Sequence, residues 1–234
     1  MTEWQRRLGL IVPSWNTVNE YEFQRLLAPA ISVHSMRIRI TADDEENFIR
    51  MSKEVPAAAR LIADAKVEVI CYGCLASGFV QGPGHDREVI RCIEAATQIP
   101  GVAAATAVVE ALNALHVTKI SVASPYSEWL NQRLKDFLRA FGIEVLDLRG
   151  LGTEAHATFT PEQNAAFASQ ADRPDSQAIF ISCSNFRTLE MIEPLEKQLG
   201  KPVLTSNMCS LWKMLRLLGD DRALAGAGRL FQEA

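Results

Sequence analysis

Short apolar runs alternate with amphipathic stretches along the whole chain, and this rhythm predicts strands and helices in turn. Leu8 to Val12 reads as a strand ending at Pro13. Ser14-Trp15-Asn16-Thr17 then opens a helix, with Asn16 or Thr17 placed to cap it and Glu20 in its first turn. Apolar and polar residues alternate from Ile31 to Ile40, as in a strand with one solvated face. The acidic run Asp43 to Glu46 is expected to be a solvated turn, with helical spacing following from Ala57 to Ala65. Val67 to Cys71 is a buried strand that breaks at Gly73 and delivers Cys74 to a small-residue loop, and His85-Asp86-Arg87 opens the next helix.

The second half repeats the theme. A strand over Val102 to Ala105 leads to a helix capped by Thr106 and running to Leu115; a strand from Lys119 to Ala123 leads to a helix from Trp129 to Phe141. Ile143 to Leu148 is a strand, Gly150-Leu151-Gly152 begins a loop, and Thr160 with Pro161 opens another helix. Ala178 to Ile181 is a second central strand with Cys183 just beyond its end. A helix from Phe186 to Leu199, a strand from Pro202 to Leu204 and a helix from Ser206 to Leu218 complete the series, and the tail from Asp220 is expected to be a helix returning onto the body.

Strands alternating with helices imply an α/β protein whose parallel sheets are covered on both faces. LGLIVPSWNT resembles KISVASPYSE, VEVICYGCLAS resembles QAIFISCSNFR, and QIPGVAAATAVVEAL resembles LGKPVLTSNMCSLWKML, in the same order. The chain therefore reads as two pseudo-symmetric lobes, 1–105 and 106–218, followed by a C-terminal segment, 219–234. In such sheets ligands bind beyond the carboxyl ends of the strands. Pro13, Cys74, Pro125 and Cys183 all sit at those ends, so the two halves are expected to face one cleft.

Composition narrows the function classes. A formal charge of −4 and a pI near 5.7, with no segment gathering Lys and Arg, argue against a nucleic-acid partner. The apolar run near the start is too short for a signal segment or a membrane span, and the five cysteines lack the spacing of a disulfide scaffold. A cytoplasmic protein with reduced thiols is expected. Cys71 and Cys74 form C-x-x-C, but a zinc site would want a second ligand pair, and Cys92, Cys183 and Cys209 stand singly. A redox C-x-x-C is expected to open a helix, whereas Cys71 reads as a strand residue.

Two thiols facing one cleft can work on opposite faces of a small carbon centre, and each precedes a helix whose backbone N–H groups favour a thiolate. Cys74 and Cys183 are the candidate catalytic residues; Cys71, Cys92 and Cys209 read as plain apolar side chains. A substrate carboxylate needs donors. Asn16 and Thr17, Ser77 and Gly78, Ser184 and Asn185, and Ser206 and Asn207 lie at strand-to-helix turns, where capping and ligand contact are both open. Tyr126 occupies the mirror position of the Asn16 loop. Arg187 is expected to pair with Glu190 on the surface, and His85 and His156 read as loop or cap residues.

IVPSWNT, CLASGFVQGPGHDRE, VASPYSEWLNQRL and SCSNFRTLEMIEPLE together resemble the Asp/Glu racemase superfamily and, within it, the maleate cis–trans isomerase group. The resemblance spans the chain from Leu8 to about Leu218 and implies two α/β lobes closing on a cleft, with no metal or organic cofactor. It implies that Cys74 adds to an alkene carbon of maleate, that rotation about the resulting single bond follows, and that elimination releases fumarate. Cys183 would be the opposing acid/base. Asn16, Thr17, Tyr126 and the backbone amides around Leu75, Ala76, Ser184 and Asn185 would hold the carboxylates. A homo-oligomer, a dimer or higher, is implied as well.

The resemblance also sets out departures and rivals. The isomerase group is expected to carry an asparagine in the loop that here reads LRGLGTEAH, where the matching position is Gly152. Arylmalonate decarboxylases share the scaffold but keep only the second cysteine. The rival readings are a two-cysteine racemase or epimerase of aspartate, glutamate or a related acid, and a non-catalytic small-acid binding protein.

Overall fold

The computed structural model describes residues 6–154 and 156–234. Its frame is two four-stranded, all-parallel sheets of identical strand order. In the first half these are β1 (Arg6–Pro13), β2 (Ile31–Ile38), β3 (Val69–Tyr72) and β4 (Gly101–Ala103), arranged β2-β1-β3-β4. In the second they are β5 (Lys119–Ser124), β6 (Glu144–Gly150), β7 (Ala178–Ile181) and β8 (Val203–Thr205), arranged β6-β5-β7-β8. The inner strands β3 and β7 are buried along their whole length, as uninterrupted apolar runs covered on both faces must be.

Helices fill the layers. The first half carries α1 (Asn19–Leu27), α2 (Glu45–Ala63), the short α3 (Leu75–Phe79) and α4 (His85–Thr97); α5 (Ala104–Ala114) leads onward. The second carries α6 (Glu128–Ala140), α7 (Pro161–Ala171), α8 (Ile192–Leu199), α9 (Ser206–Leu217) and α10 (Leu230–Glu233). Helices α5 and α9 follow the last strand of each sheet, and they pack against each other, so the internal repeat also makes the seam between the halves. Glu110 on α5 and Lys213 on α9 close that seam with an ion pair at 2.7 Å.

Three expectations are corrected. The Asp43 to Glu46 run is no solvated turn: Asp44 caps α2 by accepting from the Asn47 N–H at 2.8 Å, and Glu45 and Glu46 form its first turn. The helix thus starts well before Ala57 and buries Phe48, Met51, Val55 and Ile62 on one face; Pro56, inside it, interrupts the pattern that would have announced it. The segment after Cys183 stays irregular through Thr188, and α8 begins only at Ile192. The tail does pack on the body, burying Leu224, Leu230 and Phe231, but it is helical only from Leu230. Gly226 and Gly228 hold left-handed φ values of 86° and 83°, which end any longer helix.

Candidate active site

The carboxyl ends of the inner strands converge on one small cavity. Asn16, Cys74, Leu75, Ala76, Tyr126, Cys183, Ser184 and Asn185 all line it, joined by Asp43 and His156. Thr17 does not: its side chain is exposed, and its backbone N–H donates to Asn185 Oδ1 at 2.9 Å. A wider surface hollow bordered by Lys135, Arg139 and Glu144 contains neither thiol.

Cys74 reaches the cavity because β3 ends at Tyr72 and Gly73 brings the chain against α1; a Cβ at Gly73 would stand 2.7 Å from Asn19 Nδ2. Cys74 itself is the residue before the first turn of α3. Burial pushes its thiol up to about 12, against the pull of the Ser77 N–H, and the nearby Asp43 and Cys183 push the same way. It therefore rests as a thiol at neutral pH.

Cys183 follows β7 with a φ of 102°, in the left-handed region that a side chain rarely adopts. The Cys183 N–H donates to Ser206 Oγ at 3.0 Å, and its sulfur accepts from the Asn185 N–H at 3.4 Å. His156 Nδ1 stands 3.3 Å from the same sulfur, and His156 Nε2 is 3.1 Å from Asp43 Oδ2. Burial opposes charge on the ring, but the Cys183 sulfur and the Asp43 carboxylate outweigh it and raise His156 to about 11. The loop LRGLGTEAH thus presents His156 to the cavity, while Gly152 borders a separate surface hollow. His156 is no cap or bystander, because one ring nitrogen faces a sulfur and the other a carboxylate. Tyr126 packs edge-on to the His156 ring at 6.0 Å, and burial foremost, with Cys183 nearby, keeps its phenol protonated.

The capping candidates divide. Asn16 Oδ1 accepts from the Val18 and Asn19 N–H groups, both at 3.0 Å, while Nδ2 crosses to Ser184 Oγ at 3.1 Å, so one side chain caps α1 and ties the two halves at the cavity wall. Ser77 instead donates to the Phe48 carbonyl at 2.8 Å, and Asn207 donates to the buried Glu22 at 2.6 Å. Ser206 serves the Cys183 backbone. On the surface Glu190 pairs with Arg25 rather than Arg187, and His85 sits beside Gln81 at the start of α4, away from the cavity.

Two repeated parallel-sheet halves with paired thiols on the cavity between them define a class of α/β protein built around a two-cysteine site. The model of the arylmalonate decarboxylase family matches residues 8–231, and the chain belongs to that family. It is 33% identical to the maleate isomerase of Nocardia farcinica over 97% of this chain and 96% of that protein. Among solved structures, a maleate isomerase from Pseudomonas putida with maleate superimposes with a TM-score of 0.94, 29% identity and 98% of each chain covered. A cysteine-to-serine variant of the Nocardia farcinica maleate cis–trans isomerase, with a covalently bound succinylcysteine intermediate, superimposes with a TM-score of 0.93 at 30% identity, covering 98% of this chain and 99% of that one.

Among the described residues no group of three or more His, Cys, Asp or Glu side chains is arranged to hold a metal ion, and no helix is long and apolar enough to cross a membrane.

Proposed function

We propose that this chain isomerises a small cis-dicarboxylate, maleate to fumarate, through a covalent cysteine adduct. The observation that carries the reading is that both thiols line one cavity in a chain that matches a maleate isomerase along 97% of its length. Cys74 is the nucleophile: its sulfur bonds to one alkene carbon, and the alkene electron pair moves to the other carbon and into the attached carboxylate. The former double bond is then single and turns freely. Expulsion of the Cys74 sulfur restores it in the trans form. Cys183 is the acid/base on the opposite side, and Asn16, Tyr126 and the backbone amides around Leu75, Ala76, Ser184 and Asn185 hold the carboxylates and the negative charge that develops. Thr17 supports the Asn185 loop through its backbone. The reading includes a cytoplasmic enzyme, in keeping with five unpaired cysteines, that assembles as a homo-oligomer.

Two thiols also separate this reading from decarboxylation, which is expected to need only the second. A proton NMR time course in deuterated buffer with maleate, aspartate, glutamate and a substituted malonate tests it. The expected result is fumarate from maleate alone, abolished in Cys74→Ala with the fold retained. Deuterium entering an amino acid, carbon dioxide loss from the malonate, or full activity in Cys74→Ala would overturn it.

A further inference from the structure

The scheme above leaves one titratable ring of the cavity lining, that of His156, without a part. His156 comes from the turn after β6, Asp43 from the link between β2 and α2, and Cys183 from the end of β7, so segments distant in sequence converge to put carboxylate, imidazole and sulfur in a row. The other titratable groups facing this row are Cys74 at the start of α3 and Tyr126 after β5, while Glu154 accepts from the Asp43 backbone N–H at 3.1 Å. Among the described residues no lysine or arginine lines the cavity, which leaves His156 as the candidate cation there.

The direction of proton transfer follows from the geometry. The Asp43 carboxylate, 3.1 Å from Nε2 as an ion pair, favours a proton on that side of the ring, and Nδ1 on the other side faces the sulfur. The Asn185 N–H already donates to the same sulfur. We infer that Asp43 and His156 are positioning residues that take the Cys183 proton onto Nδ1, so that Cys183 stands as a thiolate beside an imidazolium before any substrate enters, while Cys74 stays a thiol. The S–H bond of Cys183 breaks, an N–H bond forms on His156, and no other reactant is required.

The use of this pair, though not its existence, rests on the proposed isomerisation. Cys183 accepts the Cys74 proton as the Cys74 sulfur bonds to the alkene, and returns it when that bond breaks. The imidazolium stays in place throughout, and it offsets one unit of the charge that a dicarboxylate brings into the cavity. The two cysteines then divide their work by surroundings: one is ready as a base, the other becomes a nucleophile only in the presence of its target.

Thiolate absorbance near 240 nm and site-resolved alkylation of the full-length protein test the inference without turnover. At pH 7, wild type and Cys74→Ser are expected to show one thiolate that Cys183→Ser and His156→Asn lack. Brief iodoacetamide treatment followed by peptide mass spectrometry is expected to label Cys183 at least about tenfold faster than Cys74. His156→Asn is expected to slow Cys183 labelling by about tenfold at pH 7, with recovery at pH 9.5, and Asp43→Asn by a smaller factor. Faster labelling of Cys74, or an unchanged Cys183 profile in His156→Asn, would overturn the inference. If that variant does not fold by circular dichroism, the absorbance difference between wild type and Cys183→Ser decides, and its absence would be equally adverse. A protein that shows the thiolate but leaves maleate unchanged would refute the isomerase reading and leave the proton chain standing.

Discussion

His156 Nδ1 and Cys183 Sγ are 3.3 Å apart, with the far side of the ring against Asp43. A base built this way supports catalysis through the proton it holds, and general-base groups contribute about 10²–10⁴-fold to rate. His156→Ala is accordingly expected to lower kcat for maleate by about 10²-fold or more with a smaller change in KM. Initial rates of fumarate formation from pH 6 to 9 check this, and in the variant the loss should shrink toward the alkaline end.

The backbone at Cys183 sits where glycine is at home. Holding a side chain at a φ of 102° costs on the order of 1–3 kcal/mol, which the surrounding loop sustains. Cys183→Gly is therefore expected to be more stable than Cys183→Ala by about 1 kcal/mol, although both lose the thiol. Urea unfolding of the two variants measures the difference.

Asn16 spans the halves through Ser184 while capping α1. Asn16→Ala is expected to destabilise by about 1–2 kcal/mol, because the cap and the crossing bond are lost together. Ser184→Ala removes only the crossing bond. A double-mutant cycle should return a coupling of about 1 kcal/mol between the two sites.

Glu22 is buried in α1 and accepts from the Thr188 N–H at 2.7 Å, the Leu189 N–H at 2.9 Å and Asn207, all in the second half. Burial outweighs these donors and raises its carboxyl above the ordinary 4.5. The folded state thus holds the proton more tightly than the unfolded chain. The stabilisation is complete below pH 4.5 and is lost as pH rises through the raised folded value. Thermal melts from pH 4 to 7 should show the wild type losing ground to Glu22→Gln as the pH climbs, since the other carboxylates titrate alike in both.

The fold and the paired thiols were legible in the sequence because they rest on local patterns. Val69 to Cys71 and Ala178 to Ile181 are short apolar runs that can only be inner strands, and the repeat places Cys74 and Cys183 alike. Asp43 and His156 carried no such mark. Each lies in a connecting segment without periodicity, and their partnership exists only once the two halves meet, a distance in sequence that no spacing rule spans. The start of α2 was hidden for a different reason: Pro56 and the acidic residues around Asp44 resemble a break when read alone, yet the proline lies inside the helix and Asp44 caps it. A histidine in a chain with an unexplained loop departure at Gly152 was the one available hint, and it pointed a few residues short.

Asp43 is carried by one half of the molecule and His156 by the other. Neither half alone could therefore hold the imidazole between a carboxylate and a sulfur; the row exists only where the two meet.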